Sequence, residues 1–598
     1  MKGYCGRILR VNLSSGDVAS EELPRQAARR FLGGRGLGSY YLSKEINPDT
    51  DGLSPRNKLI FASGPLTGSA APAASRYMAV TKSPLTGTIA SSNSGGFWGP
   101  ELKFAGWDMV ILEGKAPAPC YLSIHDGHAT LHNAEHLWGQ LVCATTDTLI
   151  TEFGDDDARV LTIGPAGERM SPLASIMNDK YRAAGRSGVG AVMGSKNLKA
   201  IVVRGSGEVE AAHPTEAKIL VSNLRERITD NDITGGGLPN YGTSVLVNII
   251  NESGVYPTEN FRKAQFDDAE QVSGEELAEK YLTGRDVCYR CPIACGRYCR
   301  VDDVEGGGPE YETLWAYSAG CGVNDLEAVI RANKLCNEYG LDTISAGSTI
   351  ACAMELWERG HLNQDELDGP PLKFGSPEAI VEWTRKMGSG EGFGAKLDKG
   401  SYRLADSYGV PELSMSVKKQ ELPAYDPRGI QGHGLQYATS NRGGCHVRGY
   451  LISPEILGVP EKLDPTSLEG KAMWAKLFQD LTAVIDSLGL CLFTSFELDA
   501  DDYCDLYNTI VGEKRESDEL VQTGERIWNL ERDFNLRAGI GPDEDTLPSR
   551  LLQEPIPEGP AEGQVHRLEE LLPEYYRERG WTEEGRPTGE KLAELGLQ

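Results

Sequence analysis

Residues 288–296 read Cys-Tyr-Arg-Cys-Pro-Ile-Ala-Cys-Gly. The fold must bring this stretch close to a further ligand that lies far away in the sequence. Three thiolates with the spacing of Cys288, Cys291 and Cys295 converge on one metal centre, so a fourth ligand must come from elsewhere in the chain. A zinc site usually shows two complete cysteine pairs. The spacing therefore favours an iron–sulfur cluster, with structural zinc as the alternative.

A short internal repeat suggests where the fourth ligand lies. Asn337-Glu-Tyr-Gly-Leu-Asp342 is similar to Asp486-Ser-Leu-Gly-Leu-Cys491, and each copy follows a helical pattern. The glycine of each copy suits a left-handed helix end, which turns the next residues toward a shared centre. Cys491 ends the second copy and is the predicted fourth ligand, with Cys299 and Cys504 as competitors. Chance similarity of two helix ends is the alternative.

Composition limits the possible partners of the chain. The 598 residues carry a net charge of -27, which argues against nucleic acid or an anionic membrane as the main partner. Thirteen cysteines without a secretory leader predict a reducing, cytoplasmic location. No stretch reaches the roughly 20 apolar residues of a membrane span. We therefore expect a protein that binds neither nucleic acid nor membrane.

The order of the patterns predicts an α+β fold. Short alternating runs separated by Gly, Pro and Ser occupy 7–12, 58–62, 77–82, 109–113, 120–124, 159–163 and 199–203. From about residue 210 the apolar residues recur at helical spacing, which predicts a β-rich cofactor-binding domain (1–209) and two mostly helical domains (210–416 and 417–598). No dinucleotide fingerprint follows a strand, so a nicotinamide enzyme is disfavoured.

Two glycine-rich loops in the β region predict a phosphate-bearing cofactor. The loops are 93–96 (Asn-Ser-Gly-Gly) and 182–190 (Arg-Ala-Ala-Gly-Arg-Ser-Gly-Val-Gly). Successive backbone N–H groups in such loops form anion-binding concavities, and nearby arginines such as Arg76 add bidentate contacts. A third glycine-rich stretch, 437–446, lies far downstream. Each loop alone is also typical of an ordinary β-turn.

Together these motifs resemble the aldehyde ferredoxin oxidoreductase family, which binds tungsten through two pterins. The resemblance runs nearly end to end, from Gly6 to Thr582. The motifs that carry it are the loops around Asn93 and Ala183, the cysteine triplet, Gly308-Pro-Glu-Tyr-Glu312, the two Gly-Leu motifs and Asn441-Arg-Gly-Gly-Cys-His446.

The resemblance implies a role for each matched position. It implies a 4Fe–4S cluster ligated by Cys288, Cys291, Cys295 and Cys491. It implies a magnesium ion that bridges the pterin phosphates and binds the backbone carbonyls of Asn93 and Ala183, while Arg76 lies between cluster and pterin. The positions implied to bind the tungsten bis-pterin are Arg76, Asn93, Gly95, Gly96, Arg182, Ala183, Gly185, Asp342, Arg442, Asp486 and Leu490.

The resemblance also implies that Glu312 and His446 flank the substrate pocket. A carboxylate there can act as general base on water or a hydrated aldehyde, and an imidazole can hydrogen-bond the carbonyl oxygen. Aldehyde oxidation to a carboxylic acid is the implied reaction, with electrons passing to ferredoxin or a dedicated iron–sulfur subunit. A sugar-phosphate aldehyde or an aromatic acyl thioester is the close alternative, and a non-catalytic zinc scaffold is the distant one. Cys445 is expected to be a packing residue.

The sequence departs from the family pattern at one interface. Some members bridge two subunits with a metal held by Glu-x-x-His on a helix, whereas this chain has Arg331-Ala-Asn-Lys334. Two cations cannot replace a carboxylate and an imidazole, so an oligomer would form without that metal. Nearer the cluster, Arg290, Arg297 and Arg300 suggest a surface that steers an acidic electron carrier. The four histidines at 125–136 bracket an Asp-Gly turn and predict a surface hairpin.

Overall fold

Two six-stranded β-sheets form the N-terminal third of the protein, in a computed structural model that describes residues 1–598. The first sheet contains β1 (Arg7–Asn12), β2 (Asp17–Glu22), β3 (Leu59–Ser63), β4 (Tyr77–Lys82), β5 (Ile89–Ser94) and β6 (Met109–Glu113). The second contains β7 (Cys120–His125), β8 (His128–Asn133), β9 (Arg159–Thr162), β10 (Ile176–Asn178), β11 (Arg182–Ala184) and β12 (Leu198–Arg204). The sheet orders are β2-β1-β6-β3-β4-β5 and β11-β10-β9-β12-β7-β8.

The two sheets pack face to face. One buried cluster contains Leu9 and Val11 of the first sheet together with Ile201 and Val203 of the second. The opposite face of the first sheet is also covered, because Ile8 packs in another cluster with residues of later helices. Strands buried on both faces explain the apolar runs that predicted them.

Each of the seven predicted strands has a counterpart, and β7 pairs antiparallel with β8 as the predicted histidine hairpin. Strands β2, β5, β10 and β11 were not predicted. Strand β5 reads Ile-Ala-Ser-Ser-Asn-Ser, which lacks the β-branched and aromatic residues that identify strands. It pairs with β4 over its full length, so tertiary pairing overrides its weak propensity.

Helices accompany the strands and then dominate the chain. Those within the β-rich region are α1 (Arg25–Phe31), α2 (Gly34–Glu45), α3 (Trp98–Phe104), α4 (Val142–Phe153), α5 (Pro165–Glu168) and α6 (Val189–Ser195). The next ten are α7 (Pro214–Asp230), α8 (Leu238–Tyr241), α9 (Leu246–Glu252), α10 (Gly274–Lys280), α11 (Tyr311–Tyr317), α12 (Leu326–Tyr339), α13 (Thr343–Glu358), α14 (Pro377–Ser389), α15 (Gly394–Leu397) and α16 (Ser401–Ser407). The last seven are α17 (Gln431–Thr439), α18 (Lys471–Leu488), α19 (Ala500–Val511), α20 (Ser517–Arg537), α21 (Ser549–Gln553), α22 (Leu568–Glu578) and α23 (Gly589–Glu594).

This arrangement confirms the predicted α+β class, with a β-rich N-terminal region followed by mostly helical ones. The largest hydrophobic cluster includes Val221, Leu404, Leu435 and Trp581, so the helices on both sides of residue 416 share a core. The domain boundaries at 209 and 416 stay predictions. None of the helices combines the length and apolar composition that a membrane crossing requires.

A three-stranded sheet and a two-stranded ribbon contain the remaining strands. One sheet contains β13 (Leu282–Asp286), β14 (Gly296–Val301) and β15 (Val304–Gly307), and a two-stranded ribbon contains β16 (Ser416–Val417) and β17 (Gln420–Glu421). The cysteine triplet occupies the loop between β13 and β14. This loop is held against the β-rich region because Ala73 N–H donates to the carbonyl of Arg290.

The two copies of the internal repeat contact the two sheets in the same way, each through the carbonyl of its glycine. Helix α12 ends at Gly340 and α18 ends at Gly489, both with left-handed backbone (φ 71° and 84°), as predicted. Gly340 accepts a hydrogen bond from Ser175 N–H, and Gly489 accepts one from Arg76 N–H. The chain that follows each glycine is thereby fixed at the junction between the sheets and the helices.

Candidate active site

A cavity of about 350 Å³ lies at this junction. Glycine-rich loops of the β-rich region form one side, and helices α11 and α13 with the stretch after α17 form the other. The predicted site residues that line it are Arg76, Asn93, Gly95, Arg182, Ala183, Gly185, Cys295, Glu312, Asp342, Arg442 and His446. Those outside the lining are Gly96, Asp486, Leu490, Cys288, Cys291 and Cys491.

The cysteine triplet and Cys491 lie together next to this cavity. A Cβ on Gly95 would come within 2.8 Å of Cys288 Sγ, so a glycine is required where the loop passes the thiols. Burial, and then the neighbouring Cys491 and Cys288, together raise the pKa of Cys291 to about 11. Thiols that raise one another's pKa ionise only with a cationic partner, which suits a shared metal cluster.

The competing cysteines lie in other surroundings. Cys299 belongs to β14, and a Cβ on Gly308 would come within 2.4 Å of its sulfur. Cys504 donates to the carbonyl of Arg515 from helix α19. Neither is among the charges that act on Cys291 or Cys295. No group of three or more His, Cys, Asp or Glu side chains, the four cysteines included, is close enough to hold a single metal ion, whereas a cubane cluster takes each thiolate on a different iron.

Arg76 connects the cysteines to the glycine-rich loop. Its Nη2 donates to Cys491 Sγ at 3.1 Å and its Nη1 donates to Asn93 Oδ1 at 3.2 Å. Asn93 in turn donates from Nδ2 to Asp486 Oδ1 at 3.1 Å. The second copy of the internal repeat, the loop at 93–96 and the Cys491 thiol are therefore joined through adjacent polar contacts.

Gly96 and Leu490 hold backbone positions around this cavity. Gly96 has a positive φ of 83°, and a Cβ there would lie 3.1 Å from Asn178 Nδ2. The same Nδ2 donates to the carbonyl of Gly95 at 2.7 Å. Leu490 is buried beside the second helix end. Both positions shape the loops and contribute no polar side chain.

Arg182 and Arg186 also line the cavity, and Arg448 is buried outside its lining. Arg182 pairs with Asp286 at 3.2 Å. Arg186 is buried and pairs with Asp342 at 3.0 Å, while buried Arg448 pairs with Asp486. Arg186 and Arg448 were missed as individual site residues. Arg186 lies inside the predicted loop at 182–190, and Arg448 follows His446 by two positions, but only the fold reveals that both turn inward.

Glu312 and His446 meet across the cavity. Glu312 Oε1 lies 3.6 Å from His446 Nε2, and Glu312 Oε2 accepts a hydrogen bond from Ala424 N–H at 3.0 Å. Burial raises the pKa of Glu312 to about 8. Burial and then Arg186 hold the pKa of His446 well below its usual value. At neutral pH the pair is therefore a protonated carboxyl and a neutral imidazole.

Aromatic side chains surround this pair. The Tyr425 and Tyr450 hydroxyls are hydrogen-bonded at 2.8 Å, and both rings lie about 6 Å from the His446 ring, at 6.0 and 6.1 Å. Tyr311 donates to the carbonyl of Ala424 at 2.8 Å and so helps to fix the residue whose N–H contacts Glu312. These tyrosines were not predicted, because nothing in their spacing along the sequence distinguishes them from core residues.

Clustered thiols beside an arginine-lined cavity are typical of a redox enzyme that carries a metal cluster and an anionic cofactor. Comparison with known proteins supports this class of enzyme. The model of the aldehyde ferredoxin oxidoreductase N-terminal domain matches residues 8–205, and that of domains 2 and 3 matches residues 219–597. The protein belongs to this family and is an oxidoreductase, which excludes the non-catalytic zinc scaffold.

Individual relatives span the whole chain. It is 55% identical over 601 residues to the tungsten-containing aldehyde ferredoxin oxidoreductase of Pyrococcus furiosus, covering 100% of this chain and 99% of that protein. It is 53% identical to that of Thermococcus kodakarensis, with the same coverage of 100% and 99%. Among solved structures it is similar to the active site complex BamBC of benzoyl coenzyme A reductase, with a TM-score of 0.87 and 26% identity over 100% of this chain and 97% of that one.

The arginines thought to steer an electron carrier do not form one surface. Arg290 is exposed and lies over the ring of Tyr289. Arg297 is buried and donates to three backbone carbonyls, so its role is structural. Arg300 is exposed but paired with Glu305 at 2.7 Å. Arg290 is therefore the cation of this set that a partner could contact without breaking an ion pair.

Proposed function

We propose that this protein oxidises aldehydes to carboxylic acids with a tungsten bis-pterin centre, and that one 4Fe–4S cluster passes the electrons to ferredoxin or a partner iron–sulfur subunit. The observation that carries the proposal is the Glu312–His446 pair, which faces the cavity beside the four cysteines. The names of the relatives that match along the whole chain support the same reaction.

The residues present suit these groups. Cys288, Cys291, Cys295 and Cys491 would ligate the cluster. The backbone carbonyls of Asn93 and Ala183 would bind magnesium between the pterin phosphates. The pterins would contact Arg76, Gly95, Gly96, Arg182, Gly185, Asp342, Arg442, Asp486 and Leu490. Arg76 Nε is buried without a partner in the chain, which supports an acceptor from a bound cofactor at this place.

The metal centre, when bound, supplies a two-electron acceptor, and the cluster supplies a one-electron exit. The chain supplies the proton chemistry of the overall reaction, aldehyde plus water to carboxylic acid with two electrons and two protons released. Ionised Glu312 accepts a proton at Oε1 from water or from the hydrated aldehyde. Oε1 is the available oxygen, because Oε2 already accepts from Ala424 N–H.

His446 orients the substrate. Its imidazole is neutral, because burial lowers its pKa, so one ring nitrogen can donate to the carbonyl oxygen of the aldehyde. His446 Nδ1 and Glu312 Oε1 are both buried without a hydrogen-bond partner in the chain. Two such atoms facing one cavity support a polar substrate group between them.

A broad range of aldehydes is the proposed substrate class. Tyr425, Tyr450 and Phe493 line the cavity with His446 and offer apolar surface to an organic side chain. A sugar-phosphate aldehyde or an aromatic acyl thioester is the close alternative. The presence of both Glu312 and His446 favours simple aldehydes, because each has a task in adding water to a carbonyl.

The oligomeric state and the location also remain proposals. The helix position that would bind a bridging metal carries Arg331, paired with Asp302 at 2.6 Å, and Lys334, paired with Glu338 at 2.9 Å. Any oligomer would therefore assemble without a metal at this place. A cytoplasmic location agrees with the thirteen cysteines, all of them free.

Elemental analysis of anaerobically purified protein, followed by assay with aldehydes and an artificial acceptor, tests the proposal. We expect tungsten near one per chain with about four iron, as a single cubane requires, and acid formation from several aldehydes. Zinc without tungsten and iron would contradict the cofactor set. Loaded protein that oxidises no aldehyde but acts on an acyl thioester would favour the alternative substrate.

A further inference from the structure

Arg442 is a buried cation without a carboxylate partner. Its side chain is 5% exposed, and Nη1 donates to the carbonyl of Ser91 at 2.6 Å. Its other two nitrogens point to one sulfur, with Nε at 3.2 Å and Nη2 at 2.9 Å from Cys445 Sγ. A buried guanidinium requires a counter-charge, and within the chain Cys445 is the ionisable side chain that it contacts, in addition to the pterin contact proposed above.

The backbone around Cys445 is held from several sides. The carbonyl of Gly444 accepts from Arg186 Nη1 at 2.6 Å and from Gln420 Nε2 at 2.7 Å. The carbonyl of Cys445 accepts from Gln436 Nε2 at 2.7 Å. The next residue is His446, so this peptide determines where the imidazole stands. These hydrogen bonds hold the fully buried sulfur of Cys445 in a fixed position beside the guanidinium.

The charges around the sulfur favour its ionised form. Burial alone raises the pKa of Cys445, but Arg442, Arg448 and Arg186 outweigh burial and leave the pKa below its usual value. A single arginine acts on each of Cys299, Cys352 and Cys504, and there burial still raises the pKa of the thiol. Cys321 is equally buried, and burial alone raises its pKa.

We propose that Cys445 is a thiolate that serves as the counter-ion of Arg442 and holds the loop that positions His446. Cys445 is then a positioning residue and more than the packing residue that the sequence suggested. Its effect on turnover rests on the proposed function, whereas its ionisation does not. The thiolate and the guanidinium form a charge pair in which each member satisfies the other away from water.

Infrared absorption in the S–H stretching region tests the ionisation directly. The spectrum of Cys445→Ser holoenzyme is subtracted from that of the wild type, with Cys321→Ser as the matched control. Cys321 donates its S–H to the carbonyl of Ala316, so the control must lose one S–H band. We expect no band to be lost in Cys445→Ser. A lost band of the same size as in the control would overturn the proposal.

Turnover of two further variants tests the positioning role. Cys445→Ala removes the counter-charge and Cys445→Asp keeps it. We expect Cys445→Ala to lower kcat about tenfold with KM unchanged, since a small displacement of a reacting group is enough for such a loss. Cys445→Asp should recover most of kcat. Equal kcat in both variants, or wild-type kcat in Cys445→Ala, would overturn the role. The infrared result stands even if no aldehyde is oxidised.

Discussion

Glu312 Oε1 lies 3.6 Å from His446 Nε2, and neither group carries a charge at neutral pH. The two residues are 134 positions apart in the sequence, and each is placed by a different backbone contact. Ala424 N–H holds the other oxygen of Glu312, while the peptides before His446 are held by Arg186 and Gln436. The pair is therefore set by the fold before any substrate arrives.

Glu312→Gln is expected to abolish most aldehyde oxidation. The amide can still contact Ala424 but cannot accept a proton as a base, and loss of a general base costs about 10²–10⁴ in rate. The measurement is kcat with an artificial acceptor, alongside tungsten and iron content to verify loading. Glu310→Gln is the matched control, because Glu310 is exposed and its carboxylate contacts Thr243. Loaded Glu312→Gln with normal kcat would remove Glu312 from the mechanism.

The pH dependence follows from the same carboxyl. Burial raises the pKa of Glu312 from its usual value to about 8, so the basic form is scarce at neutral pH and increases as pH rises. We expect kcat/KM of the wild type to rise with pH toward a plateau above pH 8. The residual activity of Glu312→Gln should lack this rise. A wild-type profile that is flat from pH 6 to 9 would contradict the base role.

Stability should show the opposite trend. The folded protein binds a proton at Glu312 up to about pH 8, whereas the unfolded chain releases it near the usual value for Glu, so unfolding becomes easier as pH rises through that window. Glu312→Gln should remove this part of the pH dependence. Denaturant unfolding of both proteins at several pH values within the window measures the free energy of unfolding. If this free energy changes with pH in the same way for both proteins, the raised pKa of Glu312 is contradicted.

Cys491→Ser is expected to destroy the iron–sulfur cluster. Cys491 contacts Arg76 at 3.1 Å and acts electrostatically on Cys291, and a hydroxyl is a poor substitute for a thiolate on iron. Iron per chain and the electron paramagnetic resonance of the reduced protein are the measurements. Cys504→Ser, at a buried cysteine away from the triplet, should keep its iron. Loss of iron in both variants would instead indicate a general folding defect.

The sequence predicted the chemistry better than the packing. The cysteine triplet, the two Gly-Leu motifs and the loop at 93–96 could be read directly, because each carries a local spacing or a backbone requirement. Tyr425, Tyr450 and Arg448 could not, since their inward direction depends on how distant segments meet. Strand β5 was missed because small polar residues form it. Arg297 was misplaced on the surface, since sequence gives no measure of burial.

The glycine at the second helix end should tolerate no side chain. Gly489 has a φ of 84°, and a Cβ there would lie 2.0 Å from Thr67 Oγ1 and 3.1 Å from Gly64 Cα. Gly489→Ala should therefore displace the following Cys491 and lower iron content as well as stability. Gly409→Ala is the control, with a similar φ of 74° but no atom within 4 Å. It should cost only the left-handed backbone penalty, about 1–2 kcal/mol, and keep all its iron.

Electron transfer to a protein partner should depend on Arg290. Arg290 is exposed in the cysteine loop and forms no ion pair, whereas Arg300 is exposed but bound to Glu305. We expect Arg290→Glu to weaken turnover with an acidic ferredoxin and to reduce the salt dependence of its association, because charge complementarity speeds encounter. Turnover with a small artificial acceptor should not change. Arg300→Glu, which loses a cation already neutralised by its neighbour, should have a smaller effect. If both variants retain wild-type ferredoxin kinetics and salt dependence, the carrier contacts the protein away from the cysteine loop.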